Sequence, residues 1–154
     1  MHPVVSQLEN RLIVSCQAYP GEPMRDPRTM AQVAAAVVSG GAAAVRIQGL
    51  DDIRHTRNAV DVPIIGLWKD GHDGVFITPT LNHCRKVLAN GADIIALDGT
   101  ARPRPDGLSF AETVARLREI TDAPVMADCD DVASAMTAAE CGVCLLYTSP
   151  SPRD

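Results

Sequence analysis

Aromatic side chains are scarce, at 3% of the 154 residues, so any core must be built from Val, Ile, Leu and Ala. Grouped Lys and Arg are absent and the net charge is −5. That argues against nucleic acid as a partner, because neutralising a phosphate backbone needs clustered cations. A small anionic substrate remains open, since it needs only a few local donors. No stretch is apolar enough for a membrane span: MAQVAAAVVSGGAAAV is Ala-rich and broken by Gln, Ser and Gly. The opening MHPVVSQLENRL lacks the charged-then-apolar order of a signal peptide, and the expected location is cytoplasmic. Neither G-x-G-x-x-G nor G-x-x-x-x-G-K-[ST] follows any strand-like run, which lowers a nucleotide-binding layout. Cys141 and Cys144 form a C-x-x-C with no second ligand pair or nearby His, so no metal site is expected. Cys16 and Cys129 lie in apolar runs and read as small buried hydrophobes in a reducing compartment. His2, His55, His72 and His83 show no metal or triad spacing and read as surface or loop residues.

What is present is a rhythm. The length suits one domain. Apolar runs recur at 11–16, 43–49, 62–69, 75–78, 92–99 and 124–130, mostly continuous rather than alternating. Strands buried on both faces read this way, as in a parallel sheet. Helical patterns lie between them. Asp26 with Pro27 starts one that closes at Gly40 or Gly41. Thr80 starts another that ends at Asn90-Gly91. Ser109 with Glu112 has capping-box spacing, and Asp130 or Asp131 opens a fourth that stops at Gly142. SGGAAAVRI, ANGADIIAL and AECGVCLL repeat one scheme: helix, glycine, small residue, strand. Alternating β and α units predict an α/β fold with parallel strands, either a doubly wound open sheet or a (β/α)8 barrel.

The main strands finish in polar residues: Gln17, Arg46, Lys69, Asp98 and Asp128. In a parallel barrel all carboxyl ends share one face, and that face carries the chemistry. Each residue alone has an ordinary use. Lys69 could be a solvated loop charge, Arg46 an ion-pair partner for Asp98, Asp128 a helix cap and Gln17 a loop tie. Five polar strand ends together point to a convergent site. The loop GTARPRPDG at 99–107 reads either as a rigid solvent loop or as a stiff lip presenting Arg102 or Arg104 to an anion or a carboxylate.

The ordered string SCQ (15–17), AVRIQG (44–49), VPIIGLWK (62–69), ITPT (77–80), GADIIALDGTARPRP (91–105) and MADCD (126–130) resembles the N-acylglucosamine-6-phosphate 2-epimerases. These are the ManNAc-6-phosphate epimerases of bacterial sialic acid catabolism. The likeness covers roughly residues 8 to 142. It implies a (β/α)8 TIM barrel of the ribulose-phosphate-binding type, of which the first five to six β/α units are present. It also implies an isomerase that interconverts N-acetylmannosamine 6-phosphate and N-acetylglucosamine 6-phosphate by moving the C2 proton. No metal or organic cofactor is implied. Carried over by motif, Lys69 is the proton-transfer base, while Gln17, Arg46 and Asp128 line the sugar site. Asp98 and Arg102 are supporting residues. A lysine base works only where part of its population is neutral, so burial and a neighbouring Arg46 are expected around Lys69. The full-length parent is expected to be a homo-oligomer.

The chain departs from that family at its end. Inversion at C2 needs a second group on the opposite face of the carbon, in the family a glutamate from a late strand. That glutamate and the phosphate loops, which in such barrels follow strands 7 and 8, are expected beyond this sequence. Residues 1–143 are read as the partial barrel, and 144–154, ending CLLYTSPSPRD, as a tail foreign to the family. The fragment is expected to be inactive alone, and its unclosed strand edges to leave it insoluble or self-associated. Two rivals stand: another phosphate-binding barrel enzyme, ribulose-phosphate epimerase-like, and a non-catalytic half-barrel.

Overall fold

A computed structural model describes residues 2–148. The order is α1 (Pro3–Ser6), β1 (Ile13–Cys16), α2 (Pro27–Ser39), β2 (Ala44–Gln48), α3 (Leu50–Arg57), β3 (Ile64–Leu67), α4 (Leu81–Ala89), β4 (Ile94–Asp98), α5 (Phe110–Arg118), β5 (Val125–Asp128), α6 (Val132–Glu140) and β6 (Leu145–Tyr147). The strands form one sheet in the order β1-β2-β3-β4-β5-β6, and every pairing is parallel. A doubly wound sheet reverses direction at a switch point. Strictly sequential order is that of a barrel wall, so the fold is α/β and the sheet is an arc of a TIM barrel.

Strand parity separates two environments, because residues two apart share a face. Ile13, Ala44, Ile65, Leu67, Ile94, Ala96, Met126 and Leu145 pack together on the concave face, joined by Val4 and Leu8. The intervening residues face outward to the helices. Val45, Ile47 and Ile64 pack with Ala34, Ile53 and Val87. Ile95, Leu97, Val125 and Ala127 pack with Phe110, Val114, Leu117 and Ala138.

The local helix signals act where the sequence puts them. The Asp26 side chain accepts from the amides of Arg28 and Thr29 ahead of Pro27, and Gly40 caps the other end of α2. Ser109 and Glu112 form the reciprocal capping box of α5. Asp131, not Asp130, caps α6.

One expectation changes, and two helices lie where the sequence pattern offered no reading. Residues 75–78 are not a sheet strand. β3 pairs directly with β4, through Ile65↔Ile94, which leaves no slot between them. The segment instead folds back over the carboxyl ends of both strands with a single antiparallel bridge, Lys69↔Ile77. Thr78 fixes it there. Its amide donates to the Trp68 carbonyl at 2.8 Å and its hydroxyl to the Ala96 carbonyl at 2.7 Å. Its φ of 45° is rare for a β-branched residue and is held by these bonds. Of the two helices, α3 carries little apolar signal. It starts at Gly49 without a side-chain cap and buries Asp52 and Thr56 beside Ile53. Asp52 is neutralised by Arg25 through two bonds of 2.8 and 2.9 Å. The other is α1; Pro3 opens it and the His2 ring caps it. β6 falls within the segment 144–154, of which residues 149–154 lie outside the described ones.

Candidate active site

The concave parity that buries Ile13, Ala44, Leu67, Ala96 and Met126 continues past the carboxyl ends of the strands in polar form. It delivers Ser15 and Gln17 from β1, Arg46 and Gln48 from β2, Lys69 after β3, Asp98 from β4 and Asp128 from β5. The apolar floor excludes water below these groups, and the polar ends line the mouth.

Lys69 is half-buried. Its Nζ donates to Gln17 Oε1 at 3.3 Å and to the Tyr19 hydroxyl at 3.1 Å, and it sits 4.7 Å from the Tyr19 ring centroid. Gln17 in turn donates to Ser15 Oγ at 2.9 Å, and the Lys69 amide to Gln48 Oε1 at 3.3 Å. Arg46 is buried and forms a bidentate pair with Asp128, Nη1 to Oδ1 at 3.0 Å and Nη2 to Oδ2 at 2.5 Å. The Tyr147 ring lies 4.3 Å from the guanidinium carbon. Burial pushes the Asp128 carboxyl above its ordinary range. The bond and charge of Arg46 and the charge of Lys69 pull the other way, and Asp98 adds repulsion. Asp98 is buried, and its Oδ1 accepts from the Thr100 amide at 2.8 Å and hydroxyl at 2.6 Å.

Gln17 and Lys69 are therefore brought into contact, Arg46 and Asp128 likewise, and Asp98 acts on Asp128. Arg46 pairs with Asp128 and not with Asp98, although both carboxylates share the concave parity; Asp98 Oδ1 is instead taken by the Thr100 amide and hydroxyl. Arg102 is not drawn into this group. It pairs with Asp130 at 3.2 Å, half in solvent, and lines a cleft of about 490 Å³ between the loop after β4, α5 and α6. Arg104 offers nothing to a ligand. It is buried and donates to the carbonyls of Asp98 at 2.7 Å, Pro79 at 3.2 Å and Thr78 at 3.3 Å. His83 is not a surface residue either: its side chain is only 12% exposed, against Trp68 and Asp70.

Tyr19, Ser15 and Gln48 are missing from the sequence reading. Ser15 and Gln48 were within reach, each two residues from a chosen one on the same strand. Tyr19 gave no signal, because it lies in a loop and its contact with Lys69 spans 50 residues. No group of three or more His, Cys, Asp or Glu is placed to hold a metal ion among the described residues. Chemically the mouth offers an amine, a guanidinium fixed by a carboxylate, a second buried carboxylate and an amide. That set suits a small polar substrate carrying an acidic C–H beside a carbonyl.

A family model described as "Putative N-acetylmannosamine-6-phosphate epimerase" matches residues 30–151. The chain belongs to this family. Among curated epimerase relatives, a "Putative N-acetylmannosamine-6-phosphate 2-epimerase" of Cutibacterium acnes is 55% identical over 146 residues, covering 95% of this chain and 64% of the relative. One of Corynebacterium glutamicum is 45% identical over 147 residues, covering 94% and 63%. The chain thus spans somewhat under two thirds of the length of these relatives. Among solved structures, the N-acetylmannosamine-6-phosphate 2-epimerase from Clostridium perfringens matches with a TM-score of 0.88 and 31% identity, over 97% of this chain and 70% of that one. A phosphonomutase-like structure from Burkholderia cenocepacia, at 20% identity and a TM-score of 0.65, shares the fold alone.

Proposed function

We propose that the epimerase to which this chain belongs moves the C2 proton between N-acetylmannosamine 6-phosphate and N-acetylglucosamine 6-phosphate, with Lys69 as the base. The observation that carries this is the convergence of Lys69, Gln17 and the Arg46–Asp128 pair on one concave mouth, in a chain of this family. The C2 proton is acidified by the adjacent carbonyl, and charge collects on oxygen as it leaves. Lys69 takes the proton. Arg46, held flat by Asp128, faces the mouth as a fixed cation for the developing oxyanion. Gln17 orients both the amine and a substrate hydroxyl. Reprotonation on the opposite face inverts the carbon, and a late-strand glutamate is assigned that step. Asp98 supports the site through its charge on Asp128, Arg102 stands outside the mouth on Asp130, and no metal or organic cofactor is needed.

The same reading carries a homo-oligomeric parent in the cytoplasm, acting on a small sugar phosphate rather than on nucleic acid or a membrane. The net charge of −5 is consistent with that, and no described helix is long and apolar enough to cross a membrane. It also keeps 144–154 as a segment foreign to the family, although the family match runs to residue 151, and sequencing the source DNA across codon 143 tests this. A ribulose-phosphate epimerase-like enzyme would want metal-binding His at the strand ends, and the strand-end groups here are Gln, Arg, Lys and Asp. The test is deuterium exchange: enzyme from the source gene, N-acetylmannosamine 6-phosphate in D2O, and the H2 signal followed by NMR. Lys69→Met should abolish exchange. Unchanged exchange removes Lys69 from the mechanism.

A further inference from the structure

Lys69 lies two residues beyond the end of β3, where the sheet no longer fixes its backbone. Its own backbone is held by the bridge to Ile77 and the amide bond to Gln48, and a further restraint reaches the residue from both sides of the chain. The preceding residue, Trp68, packs against the His83 imidazole, with ring centroids 4.4 Å apart and planes tilted by 45°. The following residue, Asp70, binds the same imidazole, Oδ2 to Nε2 at 3.0 Å. The other ring nitrogen, Nδ1, lies 2.6 Å from Thr80 Oγ1. Thr80 is the N-cap of α4, so the ring is anchored to the helix that carries it. Lys86, one turn further along α4, sets its Nζ 5.3 Å from the Trp68 ring.

We propose that His83 is a positioning residue for Lys69, a latch on α4 that holds both chain neighbours of the base. The inference rests on the proposed role of Lys69. In an extended segment successive side chains point to opposite faces. Seating Trp68 outward on α4 therefore aims Lys69 inward at the mouth. Asp70 closes the latch on the far side. A carboxylate only accepts, so Nε2 carries the proton toward Asp70, and in the neutral ring Nδ1 accepts from the Thr80 hydroxyl. The Asp70 side chain is 60% exposed, so this pair adds little to global stability. Its effect is on where Lys69 points. Beside the latch, the Lys69↔Ile77 bridge, the Asp70 amide to Phe76 carbonyl bond at 2.9 Å, the Thr78 amide to Trp68 carbonyl bond at 2.8 Å and the Lys69 amide to Gln48 bond at 3.3 Å hold the chain that leads into the exposed tip at 71–74.

The test compares Asp70→Ala, Asp70→Asn and His83→Phe in enzyme expressed from the source gene, with far-UV circular dichroism as the folding control. A displacement of about 1 Å costs on the order of a hundredfold in rate. Asp70→Ala and His83→Phe should lower kcat at least about tenfold with KM within about twofold, since the substrate contacts are untouched. Asp70→Asn keeps the acceptor and should recover most of what Asp70→Ala loses. Trp68 is the sole tryptophan of these 154 residues, and the difference in emission between His83→Phe and the unaltered enzyme should report its shift. Unchanged kcat in Asp70→Ala, or equal losses in the Asn and Ala variants, overturns the latch. If the unaltered enzyme shows no C2 exchange, the epimerase reading fails instead. The latch is then decided by amide hydrogen exchange at residues 69 and 70: faster exchange in Asp70→Ala supports it, and unchanged exchange overturns it.

Discussion

Arg46 and Asp128 meet across the concave face, joined by two hydrogen bonds of 3.0 and 2.5 Å although β3 and β4 lie between their strands. Burial raises the Asp128 pKa, and Arg46 restrains that rise. An acid whose folded pKa is raised contributes most to stability below its unfolded pKa and loses that contribution as pH rises through the folded value. Arg46→Met removes the restraint and widens the window upward. The variant should lose about 3 kcal/mol at neutral pH, and distinctly less near the carboxylate range where Asp128 takes a proton. Urea titrations at two pH values check this, and a loss independent of pH would contradict it.

Gly66 stands on the helix-facing side of β3 where no side chain fits. A Cβ there would lie 2.6 Å from Ala92 Cβ, 2.8 Å from Val87 Cγ1 and 3.0 Å from Ile53 Cδ1. Gly66→Ala should cost about 1–3 kcal/mol through overpacking, measured as a shift in the denaturation midpoint at constant slope.

Arg104 uses a planar fork on three carbonyls that a single ammonium cannot reach together. Arg104→Lys should lose about 2–3 kcal/mol and speed amide exchange at Thr78 and Asp98. The same change at Arg102, half in solvent on Asp130, should stay within about 0.5 kcal/mol.

Burial pushes the Cys84 thiol up to about 12, and raises Cys16 and Cys129 as well. Cys144 is exposed. Alkylation of the folded chain at mildly basic pH should label Cys144 first and leave Cys84 unmodified until unfolding. Mass mapping over time reads the order directly.

The strand ends were legible because a parallel strand buried on both faces writes a continuous apolar run and then a polar residue. Helix starts such as Asp26-Pro27 and Ser109 with Glu112 were legible because a cap is a local device. Residues 75–78 misled because apolarity shows burial and not whether a pairing slot is open. Arg102 and Arg104 share one loop and one chemistry, so only the tertiary fold could tell the exposed ion pair from the buried clasp. α3 hid because its inward face is polar and is satisfied from a distance by Arg25. His83 was misread for a related reason: its partners Trp68 and Asp70 belong to the preceding strand end.

Because Gln17, Arg46, Lys69, Asp98 and Asp128 each come from a different β/α unit, the contacts that join these five span long separations in sequence. Arg46 and Asp128 are 82 residues apart, and Lys69 and Gln17 are 52 apart. Helices with their own caps form early and locally, whereas contacts across such separations wait for the intervening units to dock. The mouth therefore matures last. A half-folded chain should then carry helix signal without the assembled array of amine, guanidinium and carboxylate, so the array itself would report that the wall has been laid in order.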